Sequence, residues 1–117
     1  IYTLSLHDAL PIFYLTIIGL EGETVLSRTS SDHEEGLSVF DLLSRVTREN
    51  RIQMDSRGGG KSVYVEGIAN LYEFDHGPMS GWLYSVNGDY PSKSSGAFVL
   101  EQGDEVIWRY SKEGRQP

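Results

Sequence analysis

The residues with the most chemical character in this chain are its rings. Phe74, Trp82, Tyr84, Tyr90, Phe98 and Trp108 fall between Tyr72 and Tyr110, crowding the C-terminal half. Rings give large, rigid contact area, and Tyr and Trp add a polar tip, so the chemistry they suit is stacking on a flat or amphipathic molecule. A domain this small has little room to hide so many rings. Along a strand alternate residues face opposite ways, so Trp82, Tyr84 and Val86 share one face and Leu83 and Ser85 the other. If Leu83 faces the core, Trp82 and Tyr84 are open to a ligand. If Trp82 faces the core, it is a packing centre.

Other combinations read as structure. Gly58-Gly59-Gly60-Lys61-Ser62 resembles part of a phosphate loop. That motif needs a further Gly where Asp55 stands and a helix after the Lys, whereas Val63-Tyr64-Val65 reads as strand. Asp75, His76 and Ser80 suggest a hydrolase, yet Ser80 does not sit between its glycines as a nucleophile elbow requires. Asp75 reads instead as an acceptor of turn N–H groups near Gly77. Asp32-His33-Glu34-Glu35 lacks any spacing that recurs in metal sites and reads as a solvated loop. No catalytic residue and no metal ligand is expected.

The elements around these residues can be read from periodicity. Phe13–Ile18 is a strand, and Glu23–Thr29 is its hairpin partner. Ser38 opens a helix with a capping box completed by Asp41. Val39, Leu42, Leu43 and Val46 form one apolar stripe along it, and Asn50 stops it. Asp55–Lys61 reads as a flexible loop, and Ile68, Leu71 and Phe74 lie in a segment of open assignment. Trp82–Val86 is a strand, Asn87-Gly88 a type I′ turn, and Tyr90-Pro91 the start of a return strand. Val106, Trp108 and Tyr110 alternate onto one face of a final strand. Lys112–Pro117 is expected to fray. The sum is an α+β domain of β-grasp type, a mixed sheet covered by one main helix.

The chain has 117 residues, one domain's worth, with 38% hydrophobic residues and no cysteine. Disulfide scaffolds, thiolate metal sites and Cys nucleophiles are excluded. A formal net charge of -7 disfavours nucleic acid and anionic membrane surfaces. No apolar run approaches the roughly 20 residues of a membrane span, so no membrane insertion is expected.

The opening residues, Ile1-Tyr2-Thr3-Leu4-Ser5-Leu6-His7-Asp8-Ala9-Leu10-Pro11-Ile12, resemble the translation of a sequencing adapter at the end of a metagenomic reading frame. The expected organisation is a non-native segment over 1–12, a domain over 13–111 and a tail over 112–117.

Four ordered segments carry a family resemblance. Gly36-Leu37-Ser38-Val39-Phe40-Asp41-Leu42-Leu43 resembles "G-D-T-V-x-D-x-L", with Leu37 in the usual Asp place. Val65–Asp75 looks like "I-x-G-L-x-E-F-D", Ser80–Gly88 is similar to "SGWMYSVNG", and Leu100–Trp108 matches "L-x-x-G-D-x-V-x-W". The chain thus resembles the transcobalamin-like C-terminal (DUF4430) family of bacterial proteins. The resemblance implies a β-grasp-like domain of secreted or cell-surface proteins that binds and does not catalyse. The related vertebrate domain caps cobalamin against a helical barrel that this sequence does not contain, and an aromatic at a position similar to Trp82 lies on its ligand side. The expected site is Trp82, Tyr84 and Tyr90 for contact area and the Asn87-Gly88 tip for hydrogen bonds. Cobalamin or another corrinoid is the implied ligand, with no cofactor required. The alternative is a structural or adhesion module whose edge strands pair with neighbouring domains.

Overall fold

The structure, a computed structural model, describes residues 12–115. The adapter-like residues 1–11 and the last two residues lie outside the described residues, and Ile12 opens the first strand.

β1 (Ile12–Ile18) alternates strictly, with Phe13, Leu15 and Ile17 fully buried. It pairs antiparallel with β2 (Thr24–Asp32), which runs three residues beyond the expected partner. α1 (Val39–Glu49) follows as its sequence signals predict. Ser38 Oγ accepts from the Asp41 N–H at 3.0 Å, and Asp41 Oδ2 accepts from the Ser38 N–H at 3.1 Å. This reciprocal bonding satisfies two N–H groups that a helix start otherwise leaves bare. Val39, Leu42, Leu43 and Val46 are fully buried, each such side chain contributing on the order of 1.5–3 kcal/mol.

The middle of the chain departs from expectation. Met54–Arg57 is a strand, β3, where a loop over Asp55–Lys61 was expected. It pairs with β4 (Tyr64–Ile68) through a bulge, and its polar, exposed face carries no hydrophobic alternation to betray it. Gly60–Ser62 make a single 3-10 turn and β4 opens at Tyr64, so no α-helix follows the glycines. β4 turns into β5 (Leu71–Tyr72) through Ala69 and Asn70, both at positive φ (53° and 63°), the geometry of a two-residue hairpin made here without glycine.

β6 (Gly81–Val86) ends in the expected turn, with Asn87 at φ 52° and Gly88 at φ 90°. The expected return strand from Tyr90 does not form. A single bridge joins Val86 to Asp89, after which the chain leaves the sheet. Pro91 lacks the N–H that a ladder needs. The antiparallel partner of β6 is instead β7 (Glu105–Ser111). The large sheet has order β2-β1-β7-β6 with β1 and β7 parallel at its centre, while β3-β4-β5 form a second, smaller sheet. This is the mixed α+β architecture expected. The core lies between the inward face of the large sheet, α1, and Val65 and Ile68 of β4.

Beyond β7 the chain does not fray at once. Ser111 Oγ accepts from the N–H groups of Glu113 and Arg115, and Lys112 Nζ pairs with Glu21 at 2.6 Å. That turn carries Gly114 against Met79.

Candidate binding site

The register of β6 and β7 decides where the rings go. The Asn87 N–H donates to the Glu105 carbonyl at 2.8 Å, which makes 87 and 105 a hydrogen-bonded pair. Antiparallel alternation then makes Val86–Val106, Tyr84–Trp108 and Trp82–Tyr110 the close, non-hydrogen-bonded pairs. Trp82 meets Tyr110 edge-on, with centroids 5.4 Å apart, and Tyr84 lies 5.3 Å from Trp108. Such ring pairs add about 0.5–1.5 kcal/mol beyond area burial.

The polar tips of these rings tie the domain together. Trp82 Nε1 donates to the Leu71 carbonyl and the Tyr110 hydroxyl to the Tyr72 carbonyl, both at 2.8 Å, fastening the small sheet to the large one. The Tyr84 hydroxyl donates to the Lys93 carbonyl at 2.8 Å and holds the chain that follows the turn. Burial pushes the Tyr84 phenol above its ordinary pKa. Tyr64 on β4 is raised too, by burial first and then by the charge of Glu73.

These constraints leave a cavity of about 590 Å³, inside the ~300–1,000 Å³ span of small-ligand pockets. It is lined by Trp82, Leu83 and Tyr84 of β6, Trp108 of β7, Val63–Val65, Tyr90–Ser95, and Gly114 and Arg115. Lys93 and Arg115 are its charged lining residues. Among the described residues no acid lines it, although the whole chain carries a net charge of -7.

Trp82, Tyr84 and Tyr90 of the expected site thus meet in one place, and Asn87 does not. The Asn87 side chain donates to Asp104 at 2.8 Å and accepts from the Glu105 N–H at 2.9 Å, closing the turn. Of the two sequence alternatives for Trp82 the structure takes the second: it is a core ring, 4% exposed, and as such it also borders the cavity. Trp108, Lys93 and Arg115 are additions. The crowding of rings pointed towards Trp108, while nothing local marks Lys93 or Arg115.

The groups set aside on sequence are occupied elsewhere. Ser80 Oγ donates to the Gly77 carbonyl and accepts from the His76 N–H, and the His76 ring packs edge-on against Tyr110. Asp75 accepts the N–H of Tyr72 at the end of β5, not one in the turn at Gly77 where its donors were expected. His33 stacks on Phe13, and among the described residues no three His, Cys, Asp or Glu side chains are placed to share a metal.

Fold and cavity together define a β-grasp-like domain with an aromatic recess. The chain belongs to the family described as a domain of unknown function, DUF4430, whose model matches residues 36–112. No curated protein matches it. Solved structures share the fold, haptocorrin and a bacterial protein among them. Haptocorrin in complex with Cbi superposes with a TM-score of 0.62 at 17% identity over 86% of this chain. This chain spans only 25% of the length of haptocorrin. A candidate metal-binding protein from Ruminococcus gnavus ATCC 29149 gives a TM-score of 0.59 at 12% identity, covering 86% of this chain and 96% of the other. Among the described residues no helix is long and apolar enough to cross a membrane.

Proposed function

We propose that this domain is a non-catalytic, extracytoplasmic capture module that holds an amphipathic ligand in the recess beside β6. The observation that carries the reading is the convergence of Trp82, Tyr84, Tyr90 and Trp108 on one cavity that no acid lines among the described residues. Apolar rings supply contact area, and the few polar groups set orientation, the usual division of labour in such pockets. The corrinoid version follows from the family resemblance and is supported by the shared fold of haptocorrin, a structure containing Cbi. Trp82, Tyr84 and Tyr90 are its proposed contacts, and Asn87 positions the turn. A secreted or cell-surface location comes from the same resemblance.

Both tryptophans of the chain line the cavity, so intrinsic fluorescence reports on the site itself. Titrating cyanocobalamin into the domain is expected to quench that emission saturably. Quenching no greater than the inner-filter control at high micromolar ligand removes the corrinoid version.

The second reading, a structural or adhesion module, draws on the depth of the same rings. Trp82, Tyr84 and Trp108 are 4%, 8% and 3% exposed, so most of their area already serves the domain's own core.

A further inference from the structure

The register that brings the rings together also sets the direction of the backbone. With Ser85–Ile107 and Asn87–Glu105 hydrogen-bonded across to β7, the N–H and C=O groups of Trp82, Tyr84 and Val86 point away from it. Val86 spends its pair on Asp89, donating at 2.8 Å and accepting at 3.0 Å. β6 is the outer strand of its sheet, and among the described residues no strand pairs with it on the side that Trp82 and Tyr84 face. Both residues line the cavity and are almost wholly buried. Backbone polar groups so placed are met by a partner or by ordered water. A second donor lies in the same wall: the buried Nε1–H of Trp108 has no partner among the described residues.

The charges select the occupant. Lys93 stands over the Phe98 ring at 5.1 Å and makes no ion pair with a carboxylate among the described residues, whereas Arg115, also in the lining, pairs with Glu113 at 3.1 Å. We infer that the recess admits an extended, acidic peptide segment of another protein. It adds to the edge of β6 through the backbone of Trp82 and Tyr84, and its carboxylate faces Lys93. Strand addition of this kind takes affinity from main-chain bonds and specificity from pockets for alternate side chains. Leu83, Tyr64 and Tyr90 supply the apolar wall for those side chains. The inference rests on the recess being the capture site and names a second class of ligand for it.

The test uses fluorescein-labelled hexapeptides that alternate Val or Tyr with Thr and carry one Glu, followed by anisotropy with the whole chain. Binding is expected for the acidic set. Replacing two alternate amide N–H groups by ester oxygens is expected to weaken it about tenfold or more, because two hydrogen bonds to carbonyls of β6 are lost. Exchanging Glu for Lys in the peptide, or Lys93→Gln in the protein, is expected to weaken it as well, and more so at low salt. Affinity indifferent to ester substitution overturns the inference, as does failure of every peptide to bind. If peptides fail while cyanocobalamin quenches the tryptophans, strand addition falls and ligand capture stands; if both fail, both fall.

Discussion

Trp82→Ala is expected to cost about 3–5 kcal/mol of unfolding free energy, the usual toll for emptying a core of a large ring. Three losses combine. The side chain is 4% exposed, so its apolar area is almost fully withdrawn from water. Its edge-on contact with Tyr110 disappears. The Leu71 carbonyl, which accepts from Nε1 at 2.8 Å, is left without that donor. Because this bond fastens β5 to the large sheet, the small sheet is expected to loosen first. Trp82→Phe keeps most of the packing and loses the bond, so its cost is expected to fall well below that of alanine. Urea midpoints followed by far-ultraviolet circular dichroism measure both. A loss below about 0.5 kcal/mol for alanine, the range of surface changes, contradicts the packing described.

The second large effect is expected at Gly96. A Cβ there overlaps the Gly60 carbonyl oxygen and stands 2.7 Å from Val63 Cγ1. The first of these is backbone and cannot swing away. The cost of Gly96→Ala is therefore expected near the top of the overpacking range, about 3 kcal/mol. The strain has a functional side, since Gly96 directly follows the Tyr90–Ser95 segment that lines the recess, and Val63 lines it too. Pushing them apart widens the cavity, so ligand affinity is expected to fall in molecules that remain folded. Gly59→Ala is the control: a Cβ there meets nothing within 4 Å. Its stability is expected to stay within about 0.5 kcal/mol of the parent. Thermal melts of the two variants side by side check this. Equal behaviour contradicts the close approach at Gly96.

Why some of this was readable in the amino-acid order and some was not follows from the range of the forces. α1 was legible because its signals are local. Ser38 and Asp41 cap it from within one turn, and the apolar stripe repeats inside eleven residues. β7 was legible because Val106, Trp108 and Tyr110 alternate without interruption. β3 was not, since Met54–Arg57 holds its place through pairing with β4 and shows polar side chains to water. The turn at Ala69-Asn70 escaped notice because alanine seldom accepts a positive φ. At β6 the turn was readable but the partner was not. Asn87-Gly88 announces a hairpin, yet the ring pairs Trp82–Tyr110 and Tyr84–Trp108 draw in a strand from twenty residues further along.

The candidate site divides the same way. Alternation put Trp82 and Tyr84 on one face, and Tyr90 follows the turn closely enough to be suspected. Asn87 was drawn in by its position at the tip, whereas its amide is consumed by Asp104 and Glu105. Lys93 reaches the recess because the Tyr84 hydroxyl holds its carbonyl, and Arg115 because Ser111 turns the chain.

Amide and indole chemical shifts of the ¹⁵N-labelled domain, recorded against a library of flat amphipathic fragments, test the capture role most directly. The expected result is a set of binders whose shifts cluster on the Trp108 and Trp82 indoles and the Tyr84, Tyr90 and Lys93 amides. Binders scattered over the surface, or clustered on α1 and β2 while these signals stay still, contradict it.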